Sequence, residues 1–121
     1  MKTYLLIGAL VALAGPAFAQ EACTRPQAPA IDSQAAAASV ETLTAAKQQT
    51  VDFIKASDAF QDCILNDAKA KKDKAKAKKV AFDPSIAQRA QREVSANQAD
   101  KEKVGKAYNE AVKAYKAAHP S

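Results

Sequence analysis

Lys78-Lys79-Val80-Ala81-Phe82-Asp83-Pro84 is the stretch on which the fold turns. Asp83 supplies a capping carboxylate, Pro84 suits the first position of a helix, and Phe82 stands where a staple residue belongs. A helix therefore starts at Pro84. The Lys- and Ala-rich run before it closes another, because cations favour the carbonyl end of a helix.

Downstream, Ala90, Asn97, Val104, Ala111 and Ala118 recur every seven residues, with Val94, Lys101, Tyr108 and Tyr115 between them. This is a heptad seam interrupted by Asn97 and Lys101, polar insertions of the kind that fix register. The helix is expected over 84–117, before Pro120. Upstream, Val40, Leu43, Ala46, Thr50, Ile54, Ser57, Ile64, Leu65 and Ala68 fall on one broad face at helical spacing, flanked by Val51 and Phe53. That helix is expected over 39–78.

A connection as short as 79–83 makes the two helices antiparallel neighbours. The expected fold is all-α: an antiparallel helical hairpin of two long helices over 39–118. With Lys78 opposite Pro84, Ile54 meets Tyr108, Val51 meets Ala111, and Asp58 or Asp62 approaches Lys101. Large apolar residues are few, which suits elongated helices better than a sphere. Phe53, Phe60, Tyr108 and Tyr115 exceed what one partner helix can cover, so a further segment or a second subunit must take the surplus.

Residues 1–19 have the parts of a secretory signal peptide: Lys2, an apolar run from Tyr4 to Ala14, the breakers Gly15 and Pro16, and Ala17-Phe18-Ala19 at the cleavage site. The apolar run is too short to span a bilayer, which takes about 20 residues. Cleavage after Ala19 implies a periplasmic or secreted protein without a transmembrane segment in the mature chain. Residues 20–38 then read as an extended lead-in, since Pro26 and Pro29 oppose helix.

Cys23 and Cys63 are the only cysteines, and export places them where disulfides persist. An intramolecular bridge is the preferred reading, with an intermolecular link or free thiols as alternatives. A helix from Ser33 would put residue 63 ~45 Å away, beyond the ~35 Å that ten extended residues reach. A start near Ser39 brings Cys63 within range, so the later start is expected. The lead-in then runs back along the helices, pinned by the disulfide.

The segment Cys23-Thr24-Arg25-Pro26-Gln27-Ala28-Pro29-Ala30-Ile31-Asp32, followed by Phe60 and Cys63-Ile64, resembles a group of small exported proteobacterial helical proteins of uncharacterised function. The shared pattern is a Cys-x2-Pro-x2-Pro opening and a second Cys, over residues 1–65. The resemblance implies no active site.

Net charge is +5, but it is concentrated. Residues 69–79 hold Lys69, Lys71, Lys72, Lys74, Lys76, Lys78 and Lys79 against Asp73 alone. This block is the candidate anion-binding site, for lipopolysaccharide, anionic lipid or an anionic envelope polymer. Nucleic acid is disfavoured, because the block has no interleaved aromatics and no Arg. Neither paired carboxylates nor a Gly-rich phosphate loop occurs, and two Cys with a distant His119 fall short of a four-ligand metal site. The expectation is a non-enzymatic structural or interaction module without metal or cofactor. It would self-associate, bind another protein, or act as a holdase-like periplasmic chaperone.

Overall fold

The computed structural model describes residues 23–121, and residues 1–19, read as a signal peptide, lie outside them. Three helices follow in order: α1 (Ser33–Ala36), α2 (Val40–Ala77) and α3 (Pro84–Ala118). The last two are 38 and 35 residues long, or ~57 and ~52 Å at 1.5 Å per residue. They pack against each other as an antiparallel hairpin, and no strand occurs among the described residues.

The lead-in is not extended throughout, as the sequence suggested. Asp32 accepts hydrogen bonds from the Gln34 and Ala35 N–H groups at 3.0 and 3.1 Å and caps the single turn of α1. Ser39, extended at φ −151°, then caps α2. Its Oγ accepts from the Thr42 N–H, while Thr42 Oγ1 accepts from the Ser39 N–H, forming a capping box. Thr42 Oγ1 also donates to the Ala36 carbonyl at 3.1 Å, joining the two helices. Both candidate starts are therefore used. The break between them lets the chain reverse direction, which a continuous helix from Ser33 would forbid.

The path of the lead-in follows from three contacts. Cys23 is bonded to Cys63, with Cα atoms 5.5 Å apart. Arg25 donates to Asp100 of α3 at 2.6 Å. Ile31 packs on a cluster of Ala36, Ala46 and Ala111, joined by Leu43 and Tyr108. The segment thus runs from mid-hairpin to the open end and covers one side of that half, with α1 against both long helices.

In α2 the buried positions are Ala46, Thr50, Phe53, Ser57 and Phe60, the alternating three–four spacing of a coiled-coil seam. Phe53 and Phe60 lie at its centre, whereas Val40 and Leu65, expected on the apolar face, are 53% and 47% exposed. The buried face is rotated toward the lead-in, which supplies cover that a two-helix reading does not include. Buried positions of α3 are Ala90, Asn97, Val104 and Ala111, the heptad seen in the sequence.

Ala111 joins the cluster around Ala46 and not Val51, so the register lies about a turn from the expected one. The polar layer sets it. Asn97 Nδ2 donates to Ser57 Oγ at 3.1 Å, and Gln61 Nε2 donates to Asn97 Oδ1 at 2.9 Å. Ser57 and Asn97 are fully buried, and no buried side-chain polar atom lacks a partner among the described residues. Lys101 pairs with Asp58, one of its two anticipated acids, on the flank of this layer. Asp62, the other, makes no ion pair among the described residues.

Candidate anion-binding tip

Beyond the polar layer the hairpin continues as two bare helices. Ile64, Ala68, Ala75, Phe82, Ile86 and Val94 are only half-buried there, and Ala90 is the sole fully buried residue. The interhelical groove of about 80 Å³ has an apolar floor of Ile64, Ala68, Ile86 and Ala90, rimmed by charged side chains. Helicity in this half rests on Ala and Lys, which lose little side-chain freedom in a helix.

All seven lysines of the block are exposed. At 100° per residue, Lys69, Lys72, Lys76 and Lys79 fall on one flank of the seam, and Lys71, Lys74 and Lys78 on the other. The block is therefore two rows of lysines, one on each flank of the seam, over ~15 Å of the helix end, with Ala70, Asp73 and Ala77 on the outward face. Two members are neutralised within α2. Lys69 donates to Asp73 and Lys71 to Asp67, each at 2.7 Å and at i, i+4 spacing. The hydrogen bond to Asp73, reinforced by its charge, raises the Lys69 pKa above its ordinary 10.5. Lys72, Lys74, Lys76, Lys78 and Lys79 make no ion pair among the described residues.

The turn at the apex has a defined geometry. Lys78 ends α2, and Lys79 takes the left-handed conformation at φ 55°. Its N–H donates to the Lys76 carbonyl at 3.1 Å, and the Val80 N–H reaches back to the Ala75 carbonyl at 3.0 Å. This is a Schellman closure with a lysine where glycine is usual. Val80 follows at 58% exposure, the largest among the big exposed apolar side chains. Asp83 then caps α3, its Oδ1 accepting from the Ser85 N–H at 2.9 Å. That backbone hydrogen bond lowers the Asp83 pKa below its ordinary 3.8, aided by the Arg89 charge.

The structure separates the two sites read from the sequence. Cys23 and Cys63 form an intramolecular bridge at the inner limit of the bare half, and the lysines lie beyond it. His119 lies at the opposite, open end, stacked on Tyr115 with ring centroids 4.3 Å apart and its N–H donating to the Tyr115 carbonyl. Among the described residues no three His, Cys, Asp or Glu side chains are grouped to hold a metal ion, and no helix is long and apolar enough to cross a membrane.

Sequence reasoning missed Val80 as the apex, and it missed Ser57 and Gln61 as partners of Asn97. The i, i+4 spacing of Ser57 and Gln61 beside the seam was the available signal. Comparison with known protein families, curated proteins and solved structures finds no match to the chain.

Proposed function

We propose that this chain is an exported, non-enzymatic interaction module whose basic tip engages anionic components of a cell envelope, in the periplasm or outside the cell. Cleavage after Ala19 would release residues 20–121 as the working protein. The observation that carries this reading is the block of seven exposed lysines, five of them without an ion pair among the described residues, on the half of the hairpin that the lead-in from Cys23 leaves bare. Concentrated positive charge of this kind raises the local concentration of polyanions and speeds their association.

Self-association and holdase-like capture draw less support. Phe53 and Phe60, the aromatics that would recruit a second subunit or a client, are each 4% exposed within the single chain.

The test is retention of the mature, oxidised protein on a polyphosphate matrix. Retention should fall steeply between 50 and 300 mM salt, on the order of the loss expected when several cations release counterions. Replacing the seven lysines with Gln should abolish it. Salt-independent retention, or retention that survives the Gln variant, would remove the tip from the mechanism.

A further inference from the structure

We infer that the anionic partner is a lipid bilayer surface, met end-on, with Val80 and Ala81 entering the headgroup boundary. This rests on the reading of the tip as an anion-binding site and names the kind of surface it fits.

Three observations carry it. The cations line both flanks of the seam and run to the end of α2, so that Lys76, Lys78 and Lys79 stand next to the turn. A plane met by the end of a rod engages these last lysines together with whatever the apex itself presents. At the apex the chain places apolar residues, with Val80 58% exposed and Ala81 exposed beside it. The Val80 N–H is already bonded to the Ala75 carbonyl. Entry into a poorly hydrated layer therefore strips no water from that donor.

The local alternative is that Val80 only completes the Schellman turn through its contact with Ala75. More than half of its surface remains outside that contact. Lysine stems can lie along the apolar boundary while their ammonium groups stay at phosphate level. Each lysine near an anionic leaflet strengthens binding by roughly fivefold (about 1 kcal/mol). Asp83 is the opposing charge at this end. Its carboxylate is engaged by the Ser85 N–H and feels the charge of Arg89, and it weakens the field of the lysines without cancelling it.

The experiment compares two forms of the same charge: vesicles of phosphatidylcholine with phosphatidylglycerol, and soluble polyphosphate. Binding of the oxidised mature protein is read by sedimentation and calorimetry. Val80→Asn should weaken vesicle binding roughly fivefold or more, the expected loss of one partly buried apolar side chain. It should leave polyphosphate binding within about twofold. Because the chain has no tryptophan, Val80→Trp provides a single reporter, whose emission should shift to the blue on anionic vesicles and stay fixed with polyphosphate. Circular dichroism confirms that each variant keeps its helices.

Polyphosphate binding without vesicle binding overturns the inference and leaves the anion-binding reading standing. The same holds for vesicle binding with neither a Val80→Asn loss nor a Val80→Trp shift. Binding to neither partner overturns both. Vesicle binding with the loss and the shift establishes end-on insertion, whatever polyphosphate does.

Discussion

The two halves of the hairpin are built from the same pair of helices and are stabilised by different means. From the open end to Asn97 and Cys63, the seam holds Phe53, Phe60, Val104 and Ala111 fully buried, and the lead-in lies over it. From there to Val80, only Ala90 is fully buried, and the surface carries seven lysines. Burial of apolar area dominates the first half. The second half depends on helix propensity, caps and its connection to the first, since solvent-screened ion pairs such as Lys69–Asp73 add little. A helix pair with so little covered core is marginal alone, and here the stable half holds it in place.

Breaking the clamp should have the largest effect. Replacing Cys23 and Cys63 with Ser opens a loop of 40 residues and should cost about 4 kcal/mol, read from urea unfolding by circular dichroism. Amide hydrogen exchange at Ala36 and Ala37, whose N–H groups are bonded to the Asp32 and Ser33 carbonyls, should then speed up before the tip is lost. A double variant within about 1 kcal/mol of the parent would mean that the packing of Ile31 and Ala36 holds the lead-in unaided.

The contrast sharpens with a matched pair of truncations. Phe53→Ala should cost about 3 kcal/mol, while Ile86→Ala, half-buried in the bare half, should cost about 1 kcal/mol. Equal losses would show that the tip has a core of its own. Asn97→Ala removes the donor to Ser57 and the acceptor from Gln61, and should cost about 2 kcal/mol. Its loss should be coupled to that of Ser57→Ala in a double-mutant cycle.

At the tip the expected sign reverses. Lys79→Gly relieves the left-handed backbone and should add up to about 1 kcal/mol of thermal stability. Smallest of all is the acid response of the α3 cap. Because the Asp83 pKa is lowered by the Ser85 N–H, its contribution is complete above the ordinary carboxyl value of 3.8 and is lost as pH falls through the lowered one. The Ser85 amide signal should hold at pH 4 and move below it. In Asp83→Asn that acid-dependent step should vanish.

The hairpin was readable because its signals are local. Asp83-Pro84 starts a helix whatever surrounds it, and Ala90, Asn97, Val104 and Ala111 repeat at a period that only a helix seam explains. The lysine block was equally plain, being contiguous in sequence. The disulfide followed from two cysteines in a chain read as exported, and the reach of the lead-in from Cys23 then placed the start of the first long helix near Ser39. What escaped required knowing which side the lead-in would cover. Phe53 and Phe60 become central, and Leu65 peripheral, only when a third segment lies beside them. Register escaped for a related reason. It depends on where Ser57, Gln61 and Asn97 meet in space, and a turn at Lys79 that places a lysine in glycine's conformation does not advertise its geometry.

A seam of small side chains repeating every seven residues would accept α3 at several offsets, each one heptad apart. Asn97 breaks that degeneracy. Sliding by one repeat would bring Val104 or Ala90 to Ser57 and Gln61, leaving those polar groups facing methyls. The asparagine therefore acts as a single tooth in an otherwise smooth rack. The apex projects past the sulfur clamp by ~21 Å, the rise of the 14 residues of α2 from Cys63 to Ala77, and the stop fixes where α3 is seated along that length. The reach beyond the anchor belongs to α2, and one amide decides how its partner helix is seated along it.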